Sequence, residues 1–156
     1  MKTPQRPCLK VSPLFLHIKG GFDNFDKSTL ARILREGGIP RYLVSCVSSF
    51  LGERSSTLVF QGAPGTPAPV NVGAPQGSLM SPLLFLLYVS RLHFKVPWSL
   101  MISYLDDFAV TATSPSYRGN IRRLQELFEK PEPKALRIGV SFSVAKTELI
   151  HWMTPS

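Results

Sequence analysis

The sequence has few cysteines and no long apolar segment. Cys8 and Cys46 are its two cysteines, and neither has a partner at a spacing typical of a metal site. Two thiols do not form a disulfide framework, so we expect a protein of the nucleus or the cytoplasm. The most apolar stretch, residues 79–89, is too short to span a bilayer and contains Ser81 and Pro82. The basic N-terminus precedes too short an apolar run for a signal peptide, and the sequence predicts no membrane role.

Acidic residues are also scarce relative to basic ones. The chain of 156 residues has 18 Lys and Arg against 10 Asp and Glu, a formal net charge of +8 and a sequence pI near 9.9. Such an imbalance favours a polyanionic partner, nucleic acid before an anionic membrane. Hydrophobic residues make up 44% and the mean hydropathy is +0.07, an apolar balance for so basic a chain. This combination is typical of a piece of a larger protein with faces made for missing neighbours.

The length predicts one domain with a substantial core. We expect an irregular lead-in over residues 1–10, the domain over residues 11–152 and a tail over residues 153–156. Hydrophobic patterns, Gly and Pro positions and capping residues predict the elements in between. The predicted strands are residues 11–18, 56–60, 70–72, a hairpin over 100–113, and 140–144. Four helices are predicted. The first begins at Asp26 or Ser28 and ends at Gly37-Gly38, and the second covers residues 41–51. The third runs from Ser78 or Ser81 to about Arg91, and the fourth begins at Ser114-Pro115. This order predicts an α+β fold with helices on one face of an antiparallel sheet.

The pattern also predicts which side chains face the core. The first predicted helix should bury Leu30, Ile33 and Leu34, and the second should bury Leu43, Val47 and Phe50. Residues 61–69 are predicted to form a loop. The helix after residue 115 is predicted to bury a stripe of Tyr117, Ile121, Leu124 and Phe128. Pro131 and Pro133 interrupt the continuation of that stripe.

The hairpin over residues 100–113 carries two adjacent carboxylates at its turn. Asp106 and Asp107 stand between two apolar, β-prone runs, so packed strands would hold both acids at the edge of the sheet. Such a site suits hard cations that prefer oxygen ligands. Aspartate is also common in ordinary turns, where it forms local hydrogen bonds. Residues 103–107 by themselves leave both interpretations open.

Three stretches in chain order decide between them. Residues 15–23 read Phe-Leu-His-Ile-Lys-Gly-Gly-Phe-Asp, residues 74–78 read Ala-Pro-Gln-Gly-Ser before an apolar helix, and residues 104–107 read Tyr-Leu-Asp-Asp. In this order the chain resembles the palm domain of a reverse transcriptase, most closely those of non-LTR (LINE-type) retrotransposons. The resemblance covers roughly residues 11–152 and implies a polymerase palm with a ferredoxin-like core.

The resemblance implies RNA-directed DNA polymerase activity by two-metal nucleotidyl transfer. It implies Mg²⁺, or Mn²⁺ in its place, with Asp106 and Asp107 as carboxylate ligands and the backbone carbonyl of Ile18 as a further ligand. The implied partners are an RNA template, a DNA primer and a deoxynucleoside triphosphate.

Four further residues match nucleotide-binding positions of the family. Phe22 matches the bulky residue that screens the sugar 2′ position of the incoming nucleotide. Gln76 and Gly77 match the loop over the nucleotide and template, and Lys146 lies in a stretch proposed to assist the leaving pyrophosphate. Without the resemblance, each of these residues has an ordinary structural interpretation. Gln76-Gly77 would be a turn before a helix, Phe22 would be a core residue as readily as a binding residue, and Lys146 would be a solvated charge.

The sequence departs from the family pattern at His17. The family has Asp there, followed by Ile-Lys-Gly-Ala-Phe-Asp, and that Asp bridges both metal ions. Imidazole suits Zn²⁺ and Cu²⁺, whereas Mg²⁺ prefers oxygen ligands. Asp23 and Asp26 match other family positions and are not expected to substitute for it. We therefore expect an inactive or severely impaired polymerase site at His17, Asp106 and Asp107.

The remaining features of the sequence are its missing polymerase regions, three arginines and two isolated histidines. The sequence shows no fingers, thumb or endonuclease regions, which a parent element would supply as partners. Arg118, Arg122 and Arg123 are predicted to form a solvated helix face, although a stripe that binds a phosphate backbone is the alternative. His93 and His151 have no partner at ligand spacing. Besides a degenerate polymerase palm, two hypotheses stay open: a binding remnant that holds nucleic acid without chemistry, and the product of a decaying reading frame.

Overall fold

A computed structural model describes residues 9–93, 95–129 and 138–152. The chain forms two compact units, the first of residues 1–19 and 91–156 and the second of residues 20–90. Most of the predicted lead-in, the whole predicted tail, and Pro131 and Pro133 lie outside the described residues. Among the residues described, no helix has the length and apolarity needed to cross a membrane.

A four-stranded antiparallel sheet forms the first unit, with the strands of residues 99–104, 107–114, 10–17 and 148–149 as neighbours in that order. Its strands are β1 (Lys10–His17), β6 (Ser99–Tyr104), β7 (Asp107–Ser114) and β8 (Glu148–Leu149). β1 pairs along its whole length with β7, from Lys10 opposite Ser114 to His17 opposite Asp107. The predicted first strand and the predicted hairpin are both confirmed.

One helix, α4 (Tyr117–Glu129), packs against β1 and β7 in this unit. Along β7 the side chains of Phe108, Val110 and Ala112 are buried, and the residues between them are partly exposed. Alternate residues of a strand point to opposite faces, so the buried set faces α4. The fold class is confirmed as α+β with an antiparallel sheet.

The predicted buried stripe of α4 is only partly correct. Leu124 is buried as expected, but Asn120 and Leu127 accompany it, whereas Ile121 and Phe128 are partly exposed. The helix is rotated because Asn120 has a partner on the sheet that hydrophobicity alone does not reveal.

Asn120 joins α4 to β1 through a buried polar junction. Its Nδ2 donates to the Lys10 carbonyl at 3.0 Å and to the Ser12 hydroxyl at 2.8 Å, and both Asn120 and Ser12 are fully buried. The Ser12 hydroxyl lies 2.8 Å from Nδ1 of His151, whose ring packs on Tyr117 at 4.6 Å between centroids. His151 therefore has a structural role at the end of the chain.

Arg123 is not part of a solvated face, contrary to the prediction. Its guanidinium carbon lies 5.3 Å from the centre of the Trp98 ring and it donates a hydrogen bond to the Thr113 carbonyl. Arg118 and Arg122 are exposed, as predicted. The difference arises because the Arg123 side chain reaches the Trp98 ring and the Thr113 carbonyl.

The predicted strand over residues 140–144 is wrong. Phe142 makes a single bridge with Ile18, and a 3-10 turn, Val144–Lys146, follows directly. The strand that returns to the sheet is β8, which pairs with Leu14 and Phe15. Apart from the Phe142 bridge, residues 140–144 make no strand pairing, and the chain returns to β1 at β8 and at Trp152, which bridges Val11.

The second unit contains three helices, α1 (Lys27–Glu36), α2 (Arg41–Leu51) and α3 (Met80–Val89). Its aromatic core is formed by Phe25, Phe85 and Tyr88, each almost fully buried. The rings of Phe25 and Tyr88 lie 4.7 Å apart between centroids. α1 packs against both α2 and α3 and buries Leu30, Ile33 and Leu34, which confirms its predicted face.

Asp26 caps α1, as its position before the helix predicts. Its carboxylate accepts hydrogen bonds of 2.7 Å from the Thr29 N–H and from the Ser28 hydroxyl. Partial burial alone would raise the pKa of Asp26, but these hydrogen bonds outweigh burial and hold the pKa below its usual range. The carboxylate therefore acts as the N-cap of α1.

The predicted inward face of α2 is wrong. Val44 and Leu51 are buried, whereas Leu43 and Phe50 are exposed and Val47 is partly exposed. Apolar residues lie on several sides of this helix, so periodicity does not single out one face. The contact with α1 selects the face that is buried.

The loop predicted over residues 61–69 contains two short strands. β3 (Val59–Phe60) pairs with β4 (Ala63–Pro64), and β2 (Ser55–Ser56) pairs with β5 (Ala68–Pro69). Gln61 and Gly62 form the two-residue turn with φ values of +50° and +81°. A hairpin turn of this kind normally carries Asn-Gly or Asp-Gly, so Gln-Gly gives a weak sequence signal. The returning strand is β5 rather than the predicted residues 70–72.

The predicted bounds of α3 need two corrections. Ser78 accepts a hydrogen bond from the Met80 N–H at 3.2 Å beside the helix start, but Ser81 lies inside the helix and donates to the Pro75 carbonyl. The α-helix ends at Val89, and a 3-10 turn, Ser90–Leu92, continues the chain.

Candidate active site

The two adjacent carboxylates lie at the turn between β6 and β7. Tyr104 pairs with Asp107, so Leu105 and Asp106 form a two-residue turn. Leu105 has a φ of +52°, a conformation that is strained for a branched side chain. The Asp106 carbonyl accepts a hydrogen bond of 2.8 Å from the Ile18 N–H, which holds the turn beside the end of β1.

His17 ends β1 and brings its ring to both carboxylates. It lies opposite Asp107 in the sheet, and its Nδ1 is 2.9 Å from Asp107 Oδ1. Its Nε2 is 3.5 Å from Asp106 Oδ2. One ligand atom from each of the three side chains lies within 4.8 Å of the others, so these residues form the cluster that could hold a metal ion.

Lys146 adds a cation to this cluster from the far end of the chain. It is the last residue of the 3-10 turn Val144–Lys146, and its Nζ lies 3.2 Å from Nε2 of His17. A lysine ammonium can only donate, so Nε2 must accept in this contact. The imidazole proton is then on Nδ1, where it donates to Asp107.

A cavity of about 450 Å³ lies over the cluster. It is lined by Phe15, Leu16, His17, Asp107, Phe108 and Lys146. The Asp107 side chain is 71% exposed and that of His17 is 23% exposed. The site is therefore open to solvent, and salt screens its charges more than it would screen buried ones.

The other predicted nucleotide-binding residues belong to the second unit. Phe22 stacks on Phe85 with ring centroids 4.7 Å apart, so its ring also supports the aromatic core. Gln76 donates through Nε2 to Asp23 Oδ1 at 3.2 Å. Gly77 has a φ of +85°, a conformation that glycine adopts without strain. Phe22, Gln76 and Gly77 thus lie on neighbouring loops of this unit.

Gly73 joins those two loops. Its φ is +79°, and a Cβ at this position would lie 3.0 Å from the Phe22 carbonyl oxygen. The Ala74 N–H donates to the same carbonyl at 2.9 Å. A side chain at Gly73 would therefore push the loop before Gln76 away from Phe22.

A family model described as reverse transcriptase (RNA-dependent DNA polymerase) matches residues 10–155. The chain belongs to the reverse transcriptase family. The prediction made from the three ordered motifs is thereby confirmed, including its assignment to the non-LTR type, because a relative from such an element also matches.

That relative is the RNA-directed DNA polymerase from the mobile element jockey of Drosophila melanogaster. It is 31% identical over 123 residues, and the match covers 74% of this chain but 13% of the relative. This reverse transcriptase chain therefore spans about an eighth of the length of the curated relative that it matches.

Solved structures with the same fold include two of telomerase from Candida tropicalis. One, in complex with a fragment of telomeric RNA, has a TM-score of 0.72 and 13% identity, with 96% of this chain and 27% of that chain covered. The other, an apo form, has a TM-score of 0.67 and 14% identity, with 94% and 29% covered. At this identity the likeness establishes the palm fold of the reverse transcriptase chain and nothing about its activity.

The residues of the cluster do not fit the pair of Mg²⁺ ions that the reverse transcriptase family implies. Mg²⁺ requires oxygen ligands in near-octahedral geometry, and His17 offers a nitrogen where the family pattern has a bridging carboxylate. Both nitrogens of that imidazole are also engaged, Nδ1 with Asp107 at 2.9 Å and Nε2 with Lys146 at 3.2 Å. An ion could reach the ring only by displacing Lys146 or the Nδ1 proton.

Sequence reasoning did not find the contact between Lys146 and His17. The two residues are 129 positions apart, and no local pattern links them. Their approach depends on two backbone hydrogen bonds of 2.8 Å. The Lys19 N–H donates to the Ser141 carbonyl, and the Ser143 N–H donates to the His17 carbonyl. Only the tertiary pairing reveals it.

Proposed function

We propose that this chain is a reverse transcriptase palm in which His17 has disabled two-metal nucleotidyl transfer. The observation that carries the proposal is the position of the His17 ring between Asp107 and Lys146, at 2.9 and 3.2 Å. A bridging carboxylate would carry negative charge toward two cations, whereas this imidazole donates its Nδ1 proton to Asp107 and meets the Lys146 ammonium at Nε2. Loss of a direct metal ligand is expected to reduce activity by more than the roughly 10–100-fold that follows loss of an outer partner.

The roles of the individual residues are part of this proposal. Asp106 and Asp107 are the remaining carboxylate ligands, and Ile18 offers its carbonyl beside the hairpin turn. Phe22 screens the sugar 2′ position of a deoxynucleoside triphosphate, and a loop with Gln76 and Gly77 covers the nucleotide and template. Lys146 contacts His17 instead of a leaving pyrophosphate.

Nucleic acid is the proposed partner, with an RNA template and a DNA primer. The reverse transcriptase family, and the telomerase solved with a telomeric RNA fragment, support this assignment. The first unit supports it independently because it holds 13 of the 18 Lys and Arg residues against six of the ten acidic residues. Such an excess of positive charge attracts a phosphate backbone whether or not chemistry occurs, so binding without catalysis is the second candidate function.

Primer extension tests the proposal. The chain and its His17→Asp variant are compared on an RNA template with a DNA primer in Mg²⁺ or Mn²⁺, after circular dichroism verifies that both fold. His17→Asn is the matched control, because it supplies a neutral oxygen without the carboxylate charge. We expect extension by His17→Asp only, and its loss again when Asp106→Asn is added.

The other outcomes are equally informative. Extension by the unmodified chain would show that His17 does not disable the site. If neither chain extends a primer, the melting temperature with and without Mg²⁺ decides. A rise for His17→Asp alone would show that His17 prevents metal binding, and no rise for either would contradict the proposed metal site. Affinity for the template-primer that falls steeply with salt would then favour the binding function.

A further inference from the structure

The second unit contains five basic residues, and three of them have structural partners. The partnered ones are Lys27, which donates to the Val70 carbonyl at 3.2 Å, Arg32, which pairs with Glu36 at 3.0 Å, and Arg54, which donates to the carbonyls of Leu51, Val72 and Gly73. The remaining two are Arg35 and Arg41. Within the described part of the chain their guanidinium groups make no hydrogen bond, ion pair or ring contact.

Both of these arginines line the same cavity. It has a volume of about 450 Å³ and is formed by Arg35, Arg41, Val44, Ser45 and Ser48. Arg41, Ser45 and Ser48 stand four and three positions apart on α2, so they share one face of that helix. Val44 is 2% exposed and closes the floor, while the four polar residues are exposed.

The turn between α1 and α2 places Arg35 opposite that face. Arg35 lies in the last turn of α1, and the chain reverses through Gly38, whose φ is +77°. The Ile39 N–H donates to the Leu34 carbonyl at 3.0 Å and fixes the reversal. The two guanidinium groups therefore come from different helices to one cavity, six residues apart in the chain.

The lining has the chemistry of a phosphate site. A guanidinium presents planar N–H donors that match phosphate oxygens two at a time, and no acidic side chain lines this cavity to neutralise either arginine. The Ser48 hydroxyl donates to the Val44 carbonyl at 2.9 Å. The Ser45 hydroxyl has no protein partner within the described residues and is available as a further donor.

We infer that this cavity binds a phosphate group, and that the phosphate belongs to a nucleic-acid backbone. The choice of nucleic acid rests on the proposed function; the phosphate chemistry rests on the two unpaired arginines and Ser45. All the donors are exposed, so a polymer can reach them without opening the unit. The site lies on α1 and α2 and shares no residue with the cluster of His17, Asp106 and Asp107.

Fluorescence anisotropy with a labelled RNA–DNA hybrid tests the inference. Arg35→Gln with Arg41→Gln should weaken binding about tenfold and reduce the slope of log K against log salt by about one. Arg32→Gln is the matched control, because it removes an arginine from the same helix but one already paired with Glu36. The control should bind within about twofold of the unmodified chain, a loss expected from long-range charge alone.

A second measurement separates the cavity from the proposed function. In ¹⁵N-labelled protein, inorganic tripolyphosphate should shift the amide signals of Ser45 and Ser48, and the double arginine variant should lose these shifts. If the unmodified chain binds no hybrid, the proposed function fails while these shifts still test the cavity.

Two results would overturn the inference. Equal hybrid affinity of the double variant and the Arg32→Gln control, without phosphate shifts at Ser45 and Ser48, would exclude a phosphate site. Phosphate shifts together with that equal affinity would establish a site for free phosphate and exclude the nucleic-acid backbone as its source.

Discussion

The two units of the chain differ in charge and in the range of the contacts that build them. The first unit holds 13 basic and six acidic residues, whereas the second holds five basic and four acidic residues in 71 positions, residues 20–90. The first depends on strands far apart in sequence, as when His17 meets Asp107 and Lys146. The second depends on neighbouring helices and an aromatic core.

This difference describes where the chain departs from the reverse transcriptase pattern. The substitution at His17 alters a site assembled from three separate segments of the first unit. The second unit keeps the Phe22 ring, the Gln76 loop and a glycine at position 73 that the loop packing requires. The change therefore lies at a point of long-range assembly, and the locally built loops are intact.

Phe85→Ala should produce the largest loss of stability and should act on the second unit. Phe85 is fully buried and its ring packs on Phe22 and Phe25. Removing it should reduce the free energy of unfolding by about 3–5 kcal/mol, measured by urea denaturation. Leu83→Ala on the same helix is the control, because that side chain is 52% exposed, and it should cost below about 1 kcal/mol. Equal losses would contradict the assignment of the core.

Asn120→Ala tests the corresponding support of the first unit. It would leave the buried Ser12 hydroxyl and the Lys10 carbonyl without their amide donor. The expected loss is about 2–3 kcal/mol, because buried polar groups without partners are destabilising. Gln125→Ala, on the exposed side of α4, should change the free energy of unfolding by less than about 0.5 kcal/mol. A loss for Asn120→Ala as small as that would show that the junction contributes little.

His17→Asp should reverse the response of the first unit to Mg²⁺. Without metal, three adjacent carboxylates repel, and we expect the melting temperature to fall by about 3 °C. Saturation with Mg²⁺ to about 100 times Kd would return about 2.7 kcal/mol to the variant. The unmodified chain should show no such rise in a thermal scan with and without Mg²⁺. A rise of equal size in both proteins would refute the proposal that His17 excludes the ion.

Asp26→Ala should have the smallest of these effects and should depend on pH. The pKa of Asp26 is held below its usual range, so its cap stabilises the fold above the unfolded pKa, about 3.9, and this contribution is lost as pH falls through the folded pKa. We expect a loss of about 1 kcal/mol near neutral pH and a smaller loss in acid, measured by urea denaturation at both pH values. Ser28→Ala, which removes only the hydroxyl donor, should cost less. A loss that does not vary with pH would contradict the role of the charged cap.

Much of the second unit could be predicted from short patterns, but its packing could not. The cap at Asp26 and the buried face of Leu30, Ile33 and Leu34 follow from spacing within one helix. The buried face of α2 does not, because apolar residues surround that helix and only its contact with α1 selects Val44 and Leu51. The cavity between Arg35 and Arg41 likewise depends on how the turn at Gly38 orients two helices.

The sequence by itself determined the family, the hairpin with Asp106 and Asp107, and the departure at His17, because each lies within a few consecutive residues. Tertiary structure decided which groups surround the His17 ring. The pairing of β1 with β7 brings His17 to Asp107, and the 3-10 turn brings Lys146 to the other side of the ring. Contacts between residues so far apart depend on strand register and packing, which no local pattern encodes.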